Sequence, residues 1–384
     1  MRFFWGVVSM IEVWEAEGKC AAAVHCGKFK RQQVLAENDM SLKSGLRIAG
    51  FGLVMAMALP GVGQQTAAGA GPRTITFDAV VRAGSNRDTG FPRKAEDFTV
   101  LDNKQPVTPL AFHARRKGED NVQVVVVVDD INIPAKWMGS VKQQVGRFLR
   151  ENNGALAYPT AMAIVTDAGT SQTAFTLNGT RLADALDKQV IGVRDRDVEF
   201  TRGALVDRYS HSIARLSALV AGAEKWGGRT EVLWVSPGWS YLADPRGLPT
   251  DAEERQLFQI IIAFSTQMRK AGVTLNTIDP IGASESVLAK TYYLDFVKGV
   301  KKYTQVEQGD LTLQALSIQS GGQVVTSNDA PLAMEKCLTD LQEYYEFTIP
   351  EGPAEAPNTY HHLEVKVKET GLSVQMREGY YAQP

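Results

Sequence analysis

A mixed α/β fold is predicted for this chain: a doubly wound, mostly parallel sheet flanked by a β-sandwich-like domain made from N- and C-terminal strands. Three features predict it. Residues 122–128 (VQVVVVV) are apolar on both faces, as a strand in the middle of a parallel sheet must be. From there to about residue 345, short apolar runs alternate with amphipathic stretches of 10–20 residues, the signature of βαβ units. Before and after that stretch the period is two, with apolar and polar residues alternating as in half-buried strands.

In order along the chain, residues 74–82 (TITFDAVVR) alternate and read as a strand, with Gly84-Ser85-Asn86 as a turn. Residues 98–101 and 107–113 read as two more strands around the turn Asp102-Asn103-Lys104. After the valine strand, residues 137–150 carry Trp137, Val141, Val145, Phe148 and Leu149 at helical spacing. Residues 161–166 form a second buried strand and residues 181–190 a helix. Residues 204–225 form a longer helix with Ile213, Leu216 and Val220 on one stripe, closed by Gly227-Gly228. Strand 231–236, helix 251–271 closed by Gly272, strand 273–279, helix 311–319, strand 323–325 and helix 331–344 complete the alternation. Residues 345–349, 362–368 and 372–377 return to the strand period. Three short strands bury too little surface to stand alone, so the two terminal sets are expected to pair around an inserted α/β unit. The expected boundaries are 73–118, 119–345 and 346–384.

The 384 residues carry 41 basic against 43 acidic side chains, a net charge of −2, which leaves no electrostatic footprint for nucleic acid. At 44% hydrophobic the chain has ample material for a core. Met40, Lys43 and Arg47, the apolar run 48–59 and the small residues Pro60-Gly61-Val62-Gly63 have the grammar of a secretory signal over residues 40–63. The apolar run is shorter than the roughly 20 residues of a membrane span. Residues 1–39 read as an extension upstream of the true start at Met40, and residues 64–72 (QQTAAGAGP) as a linker. The expectation is a secreted or periplasmic protein with no stable transmembrane segment once the signal is cleaved. Cys20, Cys26 and Cys337 fit neither a zinc pattern nor a CxxC motif.

Six segments in order carry a resemblance. They are Ala95-Glu96-Asp97-Phe98-Thr99-Val100 with Phe112; the valine run into Asp129-Asp130-Ile131-Asn132; Ser236-Pro237-Gly238; the run 271–280 (AGVTLNTIDP); the run 316–322 ending in Ser320-Gly321-Gly322; and Arg377-Glu378-Gly379-Tyr380-Tyr381. Over roughly residues 73–382 the chain resembles the von Willebrand factor A-related (VWA-like) proteins of the acidobacterial type. The resemblance implies a Rossmann-type VWA sheet, and it implies a fold more than a function.

VWA domains that bind ligands through a metal use a DxSxS loop after the first strand, a threonine on a second loop and an aspartate on a third. A hard cation such as Mg²⁺ needs about six oxygen ligands. This chain departs from the pattern. Read from Asp129 the serine positions are Ile131 and Ile133; read from Asp130 they are Asn132 and Pro134; the third-loop position is Pro237. The candidate ligands of a degraded, weak site are Asp129, Asp130, Asn132 and Thr201. The alternative is that the two aspartates cap the following helix or bond loop amides. No cofactor is expected, Mg²⁺ being the one metal such a loop would be offered.

HExxH, P-loop and GxSxG patterns are missing from the sequence, and each of the five histidines reads as a surface or edge residue. Asp167, Asp279 and Asp329 follow strands and read as loop or capping residues. Trp234 reads as core. Trp239 and Tyr241 lie beyond the fourth strand and are either partner-binding anchors or packed beneath the long 237–250 loop. The expected function is that of an exported, non-enzymatic adhesion-type module binding an unidentified protein of the envelope or extracellular space. A second reading is a scaffold subunit of an envelope assembly in which the β domain binds. The missing catalytic motifs weigh against a third, an enzyme with an unrecognised site.

Overall fold

The computed structural model describes residues 73–83, 89–193, 202–239, 251–281 and 292–384. The signal, extension and linker assigned to residues 1–72, together with Thr201 and Tyr241, lie outside the described residues.

The chain enters through β1 (Thr74–Ala83), β2 (Phe98–Asp102), β3 (Gln105–Val107) and β4 (Ala111–Arg116). Asn103 and Lys104 both take positive φ (48° and 67°), the geometry of a tight two-residue hairpin between β2 and β3. The single strand expected over 107–113 is instead two, because Pro109 has no N–H to give a ladder. The α/β stretch follows with β5 (Val122–Asp129), α1 (Ala135–Arg150), β6 (Ala155–Val165), β7 (Thr170–Gln172), β8 (Thr176–Asn178), α2 (Gly179–Asp187), α3 (Arg202–Trp226) and β9 (Arg229–Val235). It continues through α4 (Asp251–Lys270), β10 (Val273–Asp279), α5 (Leu313–Gln319), β11 (Val324–Thr326) and α6 (Ala330–Thr339). The chain closes with β12 (Glu343–Pro350), β13 (Thr359–Val367), β14 (Leu372–Met376) and β15 (Gly379–Ala382). The helix expected to reach Tyr344 stops at Thr339, since Tyr344 and Tyr345 are drawn into β12 by pairing with Arg115 and Ala114 of β4.

β5 to β11 form one seven-stranded sheet in the order β11-β10-β9-β5-β6-β7, with β8 also paired to β6. β5, β6, β9, β10 and β11 run parallel, and β7 and β8 are antiparallel to β6. The order reverses between β5 and β9, the switch point at which open α/β sheets form their ligand crevice. The valine run serves both faces. Val125 and Val127 pack with Ile213, Leu216 and Val220 of α3 and with α4 and α5. Val122, Val124, Val126 and Val128 pack with Met138, Val141 and Val145 of α1 and with α2 and α6. Each valine so buried contributes about 1.5–3 kcal/mol relative to exposure. The Asn178 side chain accepts from the Arg181 amide at 2.9 Å and so caps α2.

The remaining strands form two four-stranded antiparallel sheets, β14-β1-β12-β4 and β15-β13-β2-β3. Each mixes strands from the beginning and the end of the chain. Phe77 of β1 pairs with Phe347 of β12, and Val100 of β2 with Val365 of β13. Their inner faces share one core that includes Ile75, Phe77, Phe98, Val100, Phe347 and Val365. Charge ties the first of these sheets to the parallel one. Arg229, at the start of β9, reaches Asp78 of β1 at 2.7 Å and stacks over the Tyr344 ring at 4.3 Å. One Nη of Arg82 of β1 donates to both oxygens of Asp340, at 2.7 and 2.6 Å. Burial pushes the Glu231 carboxyl up to about 8, against the pull of Arg229 and the Asn276 amide.

β1 owes both of its neighbours to the last 42 residues, β12 on one side and β14 on the other. Deleting residues 346–384 is therefore expected to open residues 74–83 to rapid cleavage in limited proteolysis. Unchanged protection of that strand would contradict the pairing.

Candidate functional site

β5 ends at Asp129 on the carboxyl side of the sheet, beside the switch point. The carboxylate is fully buried. Oδ1 accepts from the amides of Ile131 and Asn132, both at 3.1 Å, and Oδ2 accepts from the indole Nε1 of Trp234 at 3.0 Å. The Asn132 side-chain amide donates to both oxygens, at 3.1 and 2.9 Å, and turns its other hydrogen to Ser212 Oγ of α3 at 2.8 Å. Ser212 in turn donates to the Arg208 carbonyl at 2.8 Å. Burial pushes the Asp129 carboxyl above its ordinary value, while hydrogen bonds from Trp234, Asn132 and Ser236 pull it back down. A carboxylate that accepts from every neighbour is satisfied as an acceptor.

The local sequence explains the arrangement. Ile131 and Ile133 stand where hydroxyls would be needed for a metal, and both are buried, Ile131 in the core under α3 and Ile133 in the core under α1. The loop thus plugs both cores of the sheet, and its turn, closed by the Ile133 amide on the Asp129 carbonyl at 3.0 Å, holds Asn132 against the carboxylate. Asp130 turns elsewhere, its Oδ1 accepting from the Gly192 amide at 2.6 Å. Of the candidate ligands, Asp129 and Asn132 are brought together and Asp130 is not. Asn132 presents its amide nitrogen to Asp129, and a nitrogen donor does not ligate a hard cation. Among the described residues no group of three or more His, Cys, Asp or Glu is placed to hold a metal ion.

Trp239 is corrected as an exposed anchor. It is 1% exposed, packed edge-on against Trp234 at 5.7 Å and against Tyr209 of α3 at 6.2 Å. The turn 236–238 directs it inward. Gly238 takes φ +109°, and a β-carbon there would lie 2.0 Å from Gln314 Nε2, which donates to the Pro237 carbonyl at 3.1 Å. Asp279 bonds its own loop, Oδ1 accepting from the Ile281 amide at 3.0 Å. Asp329 pairs with Arg147 of α1 at 2.5 Å. The Asp167 carbonyl accepts from Arg215 at 2.7 Å.

His361 is corrected as well. It is buried between the antiparallel sheets, with Nδ1 2.6 Å from Asp102 Oδ1, and Tyr380 donates to Asp102 Oδ2 at 2.6 Å. This triad fastens β2, β13 and β15 together. Sequence reasoning passed over the indole of Trp234 as a donor, because an apolar strand position announces the ring and not its N–H. Ser212 stands mid-helix with nothing in the sequence to mark it.

Fold and site together define a mixed α/β protein, a parallel-strand sheet beside separate antiparallel sheets, with a hydrogen-bonded aspartate closing the switch point. No protein-family model matches the chain, and no curated protein matches its sequence. Among solved structures it is similar to manganese-loaded TRAP of Plasmodium vivax, at 10% identity and a TM-score of 0.33, over 71% of this chain and 99% of that one. It is similar to the human COPII-coat protein Sec24c at 8% identity and a TM-score of 0.30, over 69% of this chain and 44% of that one. It is similar to the pilus adhesin SpaC of Lactobacillus rhamnosus GG at 8% identity and a TM-score of 0.30, over 75% of this chain and 48% of that one. The chain spans less than half the length of the coat protein and of the pilus adhesin. Likenesses of this size assign neither a family nor an activity. Among the described residues no helix is long and apolar enough to cross a membrane.

Two tryptophans separate the hydrogen bond from the ring. Trp234 Nε1 donates to Asp129, whereas Trp239 Nε1 is buried with no partner among the described residues. Trp234→Phe is expected to cost about 1–3 kcal/mol more than Trp239→Phe in urea unfolding, since it leaves a buried carboxylate short of a donor. Equal costs would remove the bond's importance.

Proposed function

We propose that the chain is an exported, non-enzymatic VWA-like binding module that captures a protein partner at the carboxyl-end rim of its parallel sheet without a metal. The observation that carries this reading is the saturation of Asp129. The residue that would hold a cation is instead held by Trp234, Asn132 and loop amides, so the rim is a preformed surface with no open coordination position. The sequence adds the order of segments shared with VWA-like proteins, the signal-like residues 40–63 and the lack of a recognised catalytic motif.

The rim includes exposed Ala168 in the turn after β6, a strand that ends at Val165, whose carbonyl accepts from the Asp130 amide. Lys366 lies exposed on β13 of the antiparallel part. Capture from envelope extract should be lost with Ala168→Arg, whose bulk and charge obstruct the rim, and retained with Lys366→Glu. Loss with Lys366→Glu alone would favour the scaffold reading, in which the β domain binds. Capture unaffected by either variant would sink the rim as the binding face.

A further inference from the structure

A second site lies at the opposite end of the parallel sheet, and the inference from it does not rest on the proposed function. Where the starts of β9 and β10 meet β1, β12 and the end of β14, the protein forms a half-open cavity of about 470 Å³. That is within the range of small-molecule pockets, roughly 300–1,000 Å³. Its wall carries Arg377, Arg269 and Lys270, and also Asp78, Asp120 and Glu346 beside Arg229.

The acids are each already paired, Arg115 serving two of them. Asp78 pairs with Arg229 at 2.7 Å, and Arg115 holds Glu346 at 3.0 Å and Asp120 at 3.5 Å. The other three cations are not: among the described residues Arg377, Arg269 and Lys270 have no carboxylate within ion-pair distance. Arg377 is the anomaly. It is only 7% exposed, and among the described residues its one side-chain hydrogen bond is a long one, from an Nη to the Ser265 carbonyl at 3.5 Å. A guanidinium has five N–H donors, and buried cations in proteins are ordinarily paired. Burial and the neighbouring charge of Arg269 bring Arg377 down to about 10, against the weaker pull of Asp78.

We propose that this cavity binds a small organic oxyanion, a carboxylate or a phosphate ester, with Arg377 as the buried fork that receives it and Arg269 and Lys270 at its mouth. The planar guanidinium matches both oxyanions with two parallel hydrogen bonds. Opposing them, α3 and α4 end at Trp226 and Lys270, beside lining residues Gly227 and Ala271. A helix end carries about half a charge, so two of them, with the one carboxylate charge that Arg115 leaves over, weigh less than three whole unpaired cations.

The test is thermal unfolding of the full chain in phosphate or in citrate, at ionic strength held constant with sodium chloride. Four proteins are compared: wild type, Arg377→Met, Arg269→Gln and, as a surface control paired to Asp184 and Asp187 on α2, Arg150→Gln. A saturable rise in midpoint is expected in wild type and in Arg150→Gln, half-complete below about 1 mM. It should need at least about tenfold more anion in Arg377→Met, and several-fold more in Arg269→Gln. Should Arg377→Met not fold, Arg269→Gln carries the decision. A rise with phosphate alone assigns a phosphate ligand, and a rise with citrate alone a carboxylate. Stabilisation that never saturates, or that is equal in all four proteins, is the general salt effect on burial and overturns the proposal. So does the lack of any rise in wild type.

Discussion

A carboxylate sealed at the end of a central strand must find partners, and the way Asp129 finds them organises the middle of this protein. Its two oxygens collect donors from the next loop (Ile131, Asn132) and from the neighbouring strand (Trp234). Through Asn132 they also reach helix α3 at Ser212. Each link joins elements that flank the switch point of the sheet. The same loop drives Ile131 into one core and Ile133 into the other, so the hydrogen bonds and the apolar plugs fix one geometry together. Removing a donor from such a network costs more than the bond is worth in water, because the oxygen left behind is buried.

Much of this architecture was legible because the relevant signals are periodic. The valine run, the Ile213-Leu216-Val220 stripe and the glycines after α3 and α4 state their elements directly. What escaped was short, polar or set by partners. β7 and β8, with sequences Thr-Ser-Gln and Thr-Leu-Asn, are strands only because the β6 edge pairs with them. β15 carries two tyrosines and an alanine, all buried, that become strand by lying against β13. Tyr344 read as helical from its local sequence and is strand because β4 stands beside it. At the site, the ligand-position isoleucines were legible as a departure from a metal loop. The donors that replace the cation were not, since side-chain N–H groups leave no period.

The two ends of the chain are the second organising feature. Strands separated by some 250 residues pair in register, and the α/β stretch leaves and re-enters the antiparallel sheets at β4 and β12, which are themselves neighbours. The junction is both charged and apolar: Arg229 pairs with Asp78 and Arg82 with Asp340, while Tyr360 and Tyr381 pack into the core that α4 covers. Ion pairs of this kind stabilise little by themselves and discriminate strongly against misalignment, because a shift strands a charge away from water. Arg377 lies beside the same junction, on the wall of the cavity.

The central claim is that N–H donors do for Asp129 what a metal ion does in a DxSxS loop. Calorimetric titration of the protein with Mg²⁺ and with Mn²⁺ tests it most directly. The hydrogen-bonded loop predicts no site tighter than about 1 mM for either ion, because binding would require Asn132 to be expelled and oxygen ligands found where Ile131 and Ile133 stand. A micromolar site that disappears in Asp129→Ala would contradict it.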